Sequence, residues 1–111
     1  MNPVISAEKV IKKLPERFVK ENASNLCATF QLLLEDDSDF YISIDNDICE
    51  VSSGLHPDPN VTLITNSETM VNIINGETDG MSAFLTGKLR AEGNVMLATK
   101  LGKLFSRKKQ R

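Results

Sequence analysis

The stretch GMSAFLTGKLRAEGNVMLATKLGKLF, residues 80–105, decides the fold of this chain. It contains two apolar segments with helical periodicity, separated by a short charged segment, KLRAEG, that alternates like a strand. The apolar residues of the last segment recur at the spacing of one helix face: Leu97, Leu101, Leu104 and Phe105. We therefore expect a helix, a strand and a continuous final helix, with Asp79 and Asn94 as N-caps of the two helices.

Four segments upstream alternate apolar and polar residues in the way that is typical of strands. They are LCATFQLLLE, FYISID, ICEVSSG and VTLIT, and the tight turns DDSD and DND separate the first three. The apolar side of the first two consists of Leu26, Ala28, Phe30, Leu32, Leu34, Phe40, Ile42 and Ile44. This pattern predicts an antiparallel meander with one buried face.

Helical periodicity appears on both sides of these strands. Near the N-terminus it involves Ala7, Val10, Ile11, Leu14 and Phe18. After the fourth strand, the segment ETMVNIIN is expected to form a helix that Asn66 or Ser67 caps and Gly76 ends. The element order predicts an α+β fold, in which helices cover one face of a five-stranded sheet.

The length and composition favour an ordinary globular domain. A chain of 111 residues with 41% hydrophobic and 25% charged residues is expected to form a single domain, residues 1–111. No apolar run approaches the roughly 20 residues of a membrane span, and the N-terminal residues lack the features of a signal peptide. We therefore expect an intracellular, cytoplasmic location, with Cys27 and Cys49 as free thiols.

The charges are unevenly distributed along the chain. Residues 21–87 contain twelve acids and no Lys or Arg, although the net charge is only −2. All charged residues beyond Glu92 are bases: Lys100, Lys103, Arg107, Lys108, Lys109 and Arg111. The acidic body argues against a nucleic-acid partner. The basic end, with a tail at about residues 106–111, predicts either transient contact with an anionic membrane surface or a simple solvated end.

No residue pattern indicates catalysis, a metal or a cofactor, so we do not expect an enzyme. His56, the only histidine, lies in the Pro-rich segment HPDPN and is best interpreted as a loop residue. Zinc binding would require Cys27, Cys49 and His56 to converge from unrelated positions. The acidic turns lack the Gly and the distal Glu of a twelve-residue calcium loop.

The apolar residues of the two middle helices allow two interpretations. Helical spacing places Met70, Val71, Ile73, Ile74, Met81, Phe84 and Leu85 first in a core. The alternative is the wall of an apolar pocket. Aromatic residues make up only 5% of the chain and Trp is absent, and walls built of Met and Leu adapt to irregular apolar contents.

Residues 58–105 resemble the sterol carrier protein 2 family of lipid-transfer domains. The motifs that carry the resemblance are GMSAF, GKLRAEGN, MLA and KL within residues 80–101, and DPNVTLITNSETMVNIING over residues 58–76. In the first half only the order of elements agrees. The resemblance implies a five-stranded sheet with helices on one face that enclose an apolar tunnel. The last helix would close the tunnel as a lid that detaches at low cost.

The resemblance also implies the function, which is to carry fatty acids, fatty acyl-coenzyme A, sterols or phospholipids. The implied lipid-binding residues are Phe30, Leu32, Ile42, Met70, Val71, Ile74, Met81, Phe84, Leu85, Leu97, Leu101, Leu104 and Phe105. Asn22 and Asn25 are candidates for headgroup contact. The peroxisomal tripeptide of some family members is absent from the end, KQR. Two alternatives stay open: an accessory subunit that presents an isoprenoid or quinone precursor to an enzyme, and a structural dimerisation domain.

Overall fold

The computed structural model describes residues 14–16, 18–23, 26–75 and 77–105. Five strands form one sheet: β1 (Ala28–Leu34), β2 (Phe40–Asp45), β3 (Ile48–Ser53), β4 (Val61–Thr65) and β5 (Arg90–Gly93). The helices are α1 (Ser67–Ile74), α2 (Gly80–Leu85) and α3 (Val95–Ala98), and two 3-10 helices span Lys20–Ala23 and Leu101–Leu104. Residues 14–16 are helical. The rest of the expected N-terminal helix, with Ala7, Val10 and Ile11, and the expected helix end at Gly76 lie outside the described residues.

The sheet is mixed, with the strand order β3-β2-β1-β4-β5. The first three strands form the expected antiparallel meander, in which Ile42 lies opposite Phe30 on one side and Val51 on the other. The expectation is wrong for β4, which pairs parallel to β1. The reason is the connection at residues 54–60, which is too long for a tight turn and returns the chain across the sheet to the far side of β1.

One face of the sheet carries the core, as the alternation predicted. The buried side chains of this face are Ala28, Phe30, Leu32, Leu34, Phe40, Ile42, Ile44, Val61 and Leu63, and Leu26 is partly buried. Met70, Val71, Ile73 and Ile74 of α1 are buried in the same cluster, as their helical spacing predicted. Leu89 is buried and Ala91 partly buried beside β4, while Lys88, Arg90 and Glu92 are exposed, as expected for the fifth strand.

The N-cap of α1 is Asn66. Its side-chain oxygen accepts a hydrogen bond from the backbone N–H of Thr69 at 2.8 Å. Asp79 and Asn94 occupy the expected N-cap positions of α2 and α3, but neither side chain makes a capping hydrogen bond.

The final segment is not the continuous helix that we expected. Helix α3 contains four residues, and a turn at Thr99 and Lys100 separates it from the 3-10 helix Leu101–Leu104. Thr99 and Gly102 have low helix propensity and stand where the helix would have to continue. The apolar stripe is nevertheless buried at all four positions: Leu97, Leu101, Leu104 and Phe105.

Candidate functional site

The layer between the sheet and the helices brings together most of the residues expected to bind lipid. Side chains from β1, β2, α1, α3 and the final segment belong to one continuous apolar cluster. The members that sequence analysis named are Phe30, Leu32, Ile42, Met70, Val71, Ile74, Leu97, Leu101, Leu104 and Phe105. Within this cluster, α1 contacts the 3-10 helix Leu101–Leu104 of the final segment.

Helix α2 departs from the expected arrangement. Met81, Phe84 and Leu85 are exposed at 40%, 37% and 74%, so the interpretation of these three as core residues is wrong. The helix buries Gly80 and Ala83 instead. A Cβ atom at Gly80 would lie 3.4 Å from the carbonyl oxygen of Ala98, which shows how closely α2 approaches α3. Because Gly80 makes this contact and Ala83 is the other buried residue of α2, the three large apolar side chains are left on the outside.

Helix α3 adds two further exposed side chains. Val95 is 37% exposed and Met96 is 69% exposed, whereas the next two residues of the helix are buried. We call the five exposed apolar side chains of α2 and α3 the open apolar face: Met81, Phe84, Leu85, Val95 and Met96. Sequence analysis did not place Val95 and Met96 in the site. They precede Leu97 in a helix, and helical periodicity alone could have shown that they point away from the buried stripe.

The final segment is fixed to the N-terminal part of the chain. The backbone N–H of Val19 donates to the carbonyl oxygen of Leu104 at 2.8 Å, and the Nδ2 atom of Asn22 donates to that of Lys103 at 2.7 Å. The rings of Phe18 and Phe105 lie 6.1 Å apart. These contacts argue against a lid that detaches at low cost.

Of the two candidates for headgroup contact, only Asn22 lies within the described residues. Its side chain is exposed, and its amide donates the hydrogen bond to Lys103 of the final segment. Asn25 lies outside the described residues. Of the basic residues expected to contact a membrane, Lys100 and Lys103 are exposed, and Arg107, Lys108, Lys109 and Arg111 lie outside the described residues.

The outer face of the sheet holds a polar cluster around Gln31, which is buried and which sequence analysis did not single out. Its Nε2 atom donates to the carbonyl oxygens of Phe40 and Gly54 at 3.1 and 3.0 Å, and its Oε1 accepts from the backbone N–H of His56 at 2.7 Å. The His56 ring packs edge-on against Tyr41 at 5.0 Å. These contacts hold residues 54–60 on the sheet, so His56 is a loop residue, as expected.

The surroundings of both thiols raise the pKa of the group. Cys27 is exposed and Cys49 is partly buried, and both are free. The carboxylate of Asp45 raises the pKa of Cys27, and burial raises the pKa of Cys49 to about 12. Within the described ranges, no three His, Cys, Asp or Glu side chains are grouped so that they could hold a metal ion. None of the helices described is both long and apolar enough to span a bilayer.

A sequence model of the SCP-2 sterol transfer family matches residues 8–106. The chain belongs to this family. Domains of the family are in general lipid carriers, and lipid binding or transfer is therefore the functional class of this chain. The mixed five-stranded sheet and its helices are the sterol carrier protein 2 fold.

Similar proteins include both enzymes and small carriers. The peroxisomal multifunctional enzyme A of Dictyostelium discoideum is 49% identical over 47 residues, which is 42% of this chain and 11% of that protein. The chain therefore spans about a tenth of the length of this curated relative. The solution structure of the sterol carrier protein domain 2 of Helicoverpa armigera has a TM-score of 0.62 at 25% identity, with 94% of this chain and 89% of that chain covered. The ubiquinone synthesis protein UbiJ-SCP2 has a TM-score of 0.68 at 13% identity, with coverages of 87% and 83%.

Proposed function

We propose that this chain is a lipid carrier without catalytic activity, which holds the hydrocarbon part of its cargo between the sheet and the helices. The observation that carries the proposal is the continuous apolar cluster formed there by residues from Phe30 to Phe105, in a chain of the SCP-2 sterol transfer family. The proposed cargo is a fatty acid, a fatty acyl-coenzyme A, a sterol or a phospholipid. In this proposal the chain works as one domain in the cytoplasm, with its basic tail outside the domain.

The proposed binding residues form two groups. The buried group would line the tunnel, and its side chains would have to move apart to admit a hydrocarbon chain of the lipid. They include Met70, which adapts in shape because it is unbranched. The exposed group consists of Met81, Phe84 and Leu85, which would contact the cargo where it enters or leaves. The buried side chains on the inner face of β1 and β2 are all apolar. At these two strands the cargo would therefore be held by apolar contact.

Binding by apolar contact predicts affinity that rises smoothly with chain length. Each buried methylene contributes about 0.8 kcal/mol, which is about a fourfold gain in affinity. The test is displacement of a fluorescent fatty acid by saturated fatty acids of increasing length. Native mass spectrometry of the purified protein would show a co-purifying lipid. Equal affinity for short and long fatty acids would contradict the proposal.

A pair of variants places the cargo within the fold. Met70→Ala removes buried side-chain volume from the cluster and should shift the preference toward longer or bulkier chains. Leu55→Ala, at an exposed position in the loop of residues 54–60, serves as the control and should leave the preference unchanged. Circular dichroism checks that both variants keep their fold.

A second candidate is an accessory subunit that presents an isoprenoid or quinone precursor to an enzyme. The likeness to UbiJ-SCP2 favours it, although at 13% identity that likeness concerns the fold. Lipid transfer between vesicles by the purified chain alone would support the free carrier. Tight lipid binding without transfer would support presentation. A chain that binds no lipid and forms a stable dimer by analytical ultracentrifugation would instead be a structural dimerisation domain.

A further inference from the structure

Helix α2 buries its small residues and exposes its large apolar ones. Gly80 and Ala83 point inward, and Met81, Phe84 and Leu85 follow at the i, i+3 and i+4 spacing of one stripe. At 3.6 residues per turn, the stripe covers an arc of roughly 100° that adjoins the buried edge. The exposed stripe is therefore a continuation of the apolar surface of the helix rather than a set of isolated residues.

The exposed residues of α3 lie in the same region. The first residue of α2, Gly80, contacts the backbone of Ala98 and Thr99 at the end of α3. Val95 and Met96 precede this contact by less than one turn. The exposed apolar side chains of both helices therefore lie within a few residues of one point of close approach. Contiguous exposed apolar surface marks interaction sites in soluble folds.

Cationic side chains accompany the open apolar face. Residues 80–105 contain four of them, and Glu92 is the single acid there. Lys88 follows Leu85 by three residues, Lys100 follows Met96 by four, and both lysines are exposed. Residues 26–79, in contrast, contain acids and no Lys or Arg. An apolar stripe flanked by amines is complementary to a phospholipid interface, where apolar side chains enter the acyl boundary and amines meet phosphates.

We propose that the open apolar face docks on an anionic phospholipid bilayer, with Lys88 and Lys100 at the headgroups. The docking proposal rests on the proposed carrier function in one respect: the docked face would be the place where the carrier exchanges its cargo. A second copy of the chain fits this face less well, because a two-fold contact through the same patch would bring two sets of lysines into one interface, where like charges repel. The acidic remainder would be repelled by the same leaflet, which turns the open apolar face toward the membrane.

The chain offers a matched pair of reporter positions. Leu85 and Leu55 are 74% and 69% exposed, but Leu55 lies in the acidic part of the chain, and the sequence contains no Trp. In Leu85→Trp and Leu55→Trp the introduced indole is therefore the only one. We expect phosphatidylcholine vesicles that contain phosphatidylglycerol to shift the emission of Leu85→Trp to the blue at low salt. Phospholipids brominated on the acyl chain should quench it, and Leu55→Trp should not respond.

The charge requirement is tested with the lysines. Lys88→Gln and Lys100→Gln in the Leu85→Trp background should each lower vesicle affinity about fivefold, and added salt should lower it further. If Leu85→Trp fails to fold, Met96→Trp reports on the other helix of the same face. Equal binding to vesicles of pure phosphatidylcholine, or an equal response of Leu55→Trp, would overturn the proposal.

Two other outcomes would also overturn it. A blue-shifted emission without vesicles that stays constant would show that another segment of this chain covers the face. A shift that depends on protein concentration without vesicles would show a second copy there. Displacement of a fluorescent fatty acid from the unmodified chain, measured without vesicles, separates this proposal from the carrier function. Fatty-acid binding without docking refutes only the docking proposal, and docking without fatty-acid binding refutes only the carrier.

Discussion

The carboxylate of Asp36 accepts two hydrogen bonds from Ser67, one from its backbone N–H at 2.8 Å and one from its hydroxyl at 2.9 Å. Asp36 lies in the turn after β1, and Ser67 is the first residue of α1. The contact therefore fixes the start of the helix that covers the sheet to the strand at the centre of the sheet. The negative charge also stands at the N-terminus of α1, where it is favourable.

This contact predicts a pH dependence of stability. The backbone N–H of Ser67, and then its hydroxyl, lower the pKa of Asp36 from its ordinary value of 3.8. A group with a lowered folded-state pKa contributes stability above its unfolded pKa and loses it as the pH falls through the folded pKa. Asp36→Asn should thus be less stable than the unmodified chain at neutral pH, and the difference should shrink below about pH 3.8.

Urea unfolding at several pH values measures this difference. Asp37→Asn, which changes the next residue in the same exposed turn, is the matched control, since the Asp37 carboxylate accepts a hydrogen bond only from the neighbouring Ser38 in the contacts described. An equal loss of stability in both variants would assign the effect to the charge of the turn and not to the contact with Ser67.

Phe84 and Phe30 should respond very differently to truncation. Phe84 is 37% exposed, whereas Phe30 is fully buried on the inner face of β1. Phe30→Ala should lower the free energy of unfolding by about 3–5 kcal/mol. Phe84→Ala should lower it by about 1 kcal/mol, because it leaves no closed cavity. Denaturant unfolding of the two variants checks this difference, and a loss in Phe84→Ala as large as that in Phe30→Ala would show that the phenylalanine is a core residue.

Gly93 ends β5 at a place where a side chain cannot fit. Its φ is +97°, and a Cβ atom there would lie 2.7 Å from the carbonyl oxygen of Asn60. Gly54 has a similar φ of +100° but no atom within 4 Å of the same position. Gly54→Ala should therefore cost about 1–2 kcal/mol for the backbone alone. Gly93→Ala should cost about 1–3 kcal/mol more, because it also separates β5 from β4.

Thermal and urea unfolding compare the two alanine variants directly. The carbonyl oxygen of Asn60 also accepts a hydrogen bond from the N–H of Asn94, immediately before α3. A shift of this backbone would therefore move α3 and its exposed side chains as well. Equal losses of unfolding free energy in the two variants would mean that β4 and β5 accommodate the added methyl group at Gly93 at no further cost.

The final segment should behave as part of the core. Leu104 is fully buried and its carbonyl oxygen pairs with Val19, so Leu104→Ala should cost about 2–5 kcal/mol. Lys103→Ala, at the exposed neighbouring position, is the control and should change stability little. Urea unfolding gives both values. A small loss in Leu104→Ala together with abolished fatty-acid binding would restore the detachable lid.

The sheet was predictable from the sequence because strand alternation and burial agree. Phe30, Ile42 and Leu63 each stand at an apolar position of an alternating segment, and each is buried. The direction of β4 was not predictable, because it depends on a loop that crosses the sheet and is held by Gln31 and His56. Contacts between residues distant in the sequence leave no local periodicity.

Helix α2 shows where periodicity misleads. An apolar stripe predicts that one face of a helix is buried, but it does not show which element packs against that face. In this chain Gly80 approaches α3 closely and Ala83 is buried, while the stripe of Met81, Phe84 and Leu85 remains outside. The resemblance to sterol carrier domains supplied the family and the class of ligand, since motifs over residues 58–105 carried information that periodicity did not.

The last prediction concerns the basic tail, whose charges follow the final buried segment directly. The tail residues are Arg107, Lys108, Lys109 and Arg111, and the exposed Lys100 and Lys103 precede them. Near an anionic leaflet each charge contributes at most about 1 kcal/mol, and the attraction fades within about 8 Å at physiological salt. Changing the four tail residues to Gln should therefore slow lipid transfer to anionic vesicles several-fold, and should leave transfer to neutral vesicles and the binding of soluble fatty acid unchanged.

Transfer of a fluorescent fatty acid between vesicles measures this effect, and added salt should reduce it. The control changes the same number of cations at the other end of the chain to Gln: Lys9, Lys12, Lys13 and Lys20. Because both variants lose the same charge, a slower transfer only in the tail variant shows that the position of the charges matters, next to Phe105 and the final segment. Equal slowing in both variants would mean that net charge alone attracts the protein. Equal transfer to neutral and anionic vesicles at low salt would leave the tail with no membrane role, and it would then be a solvated end.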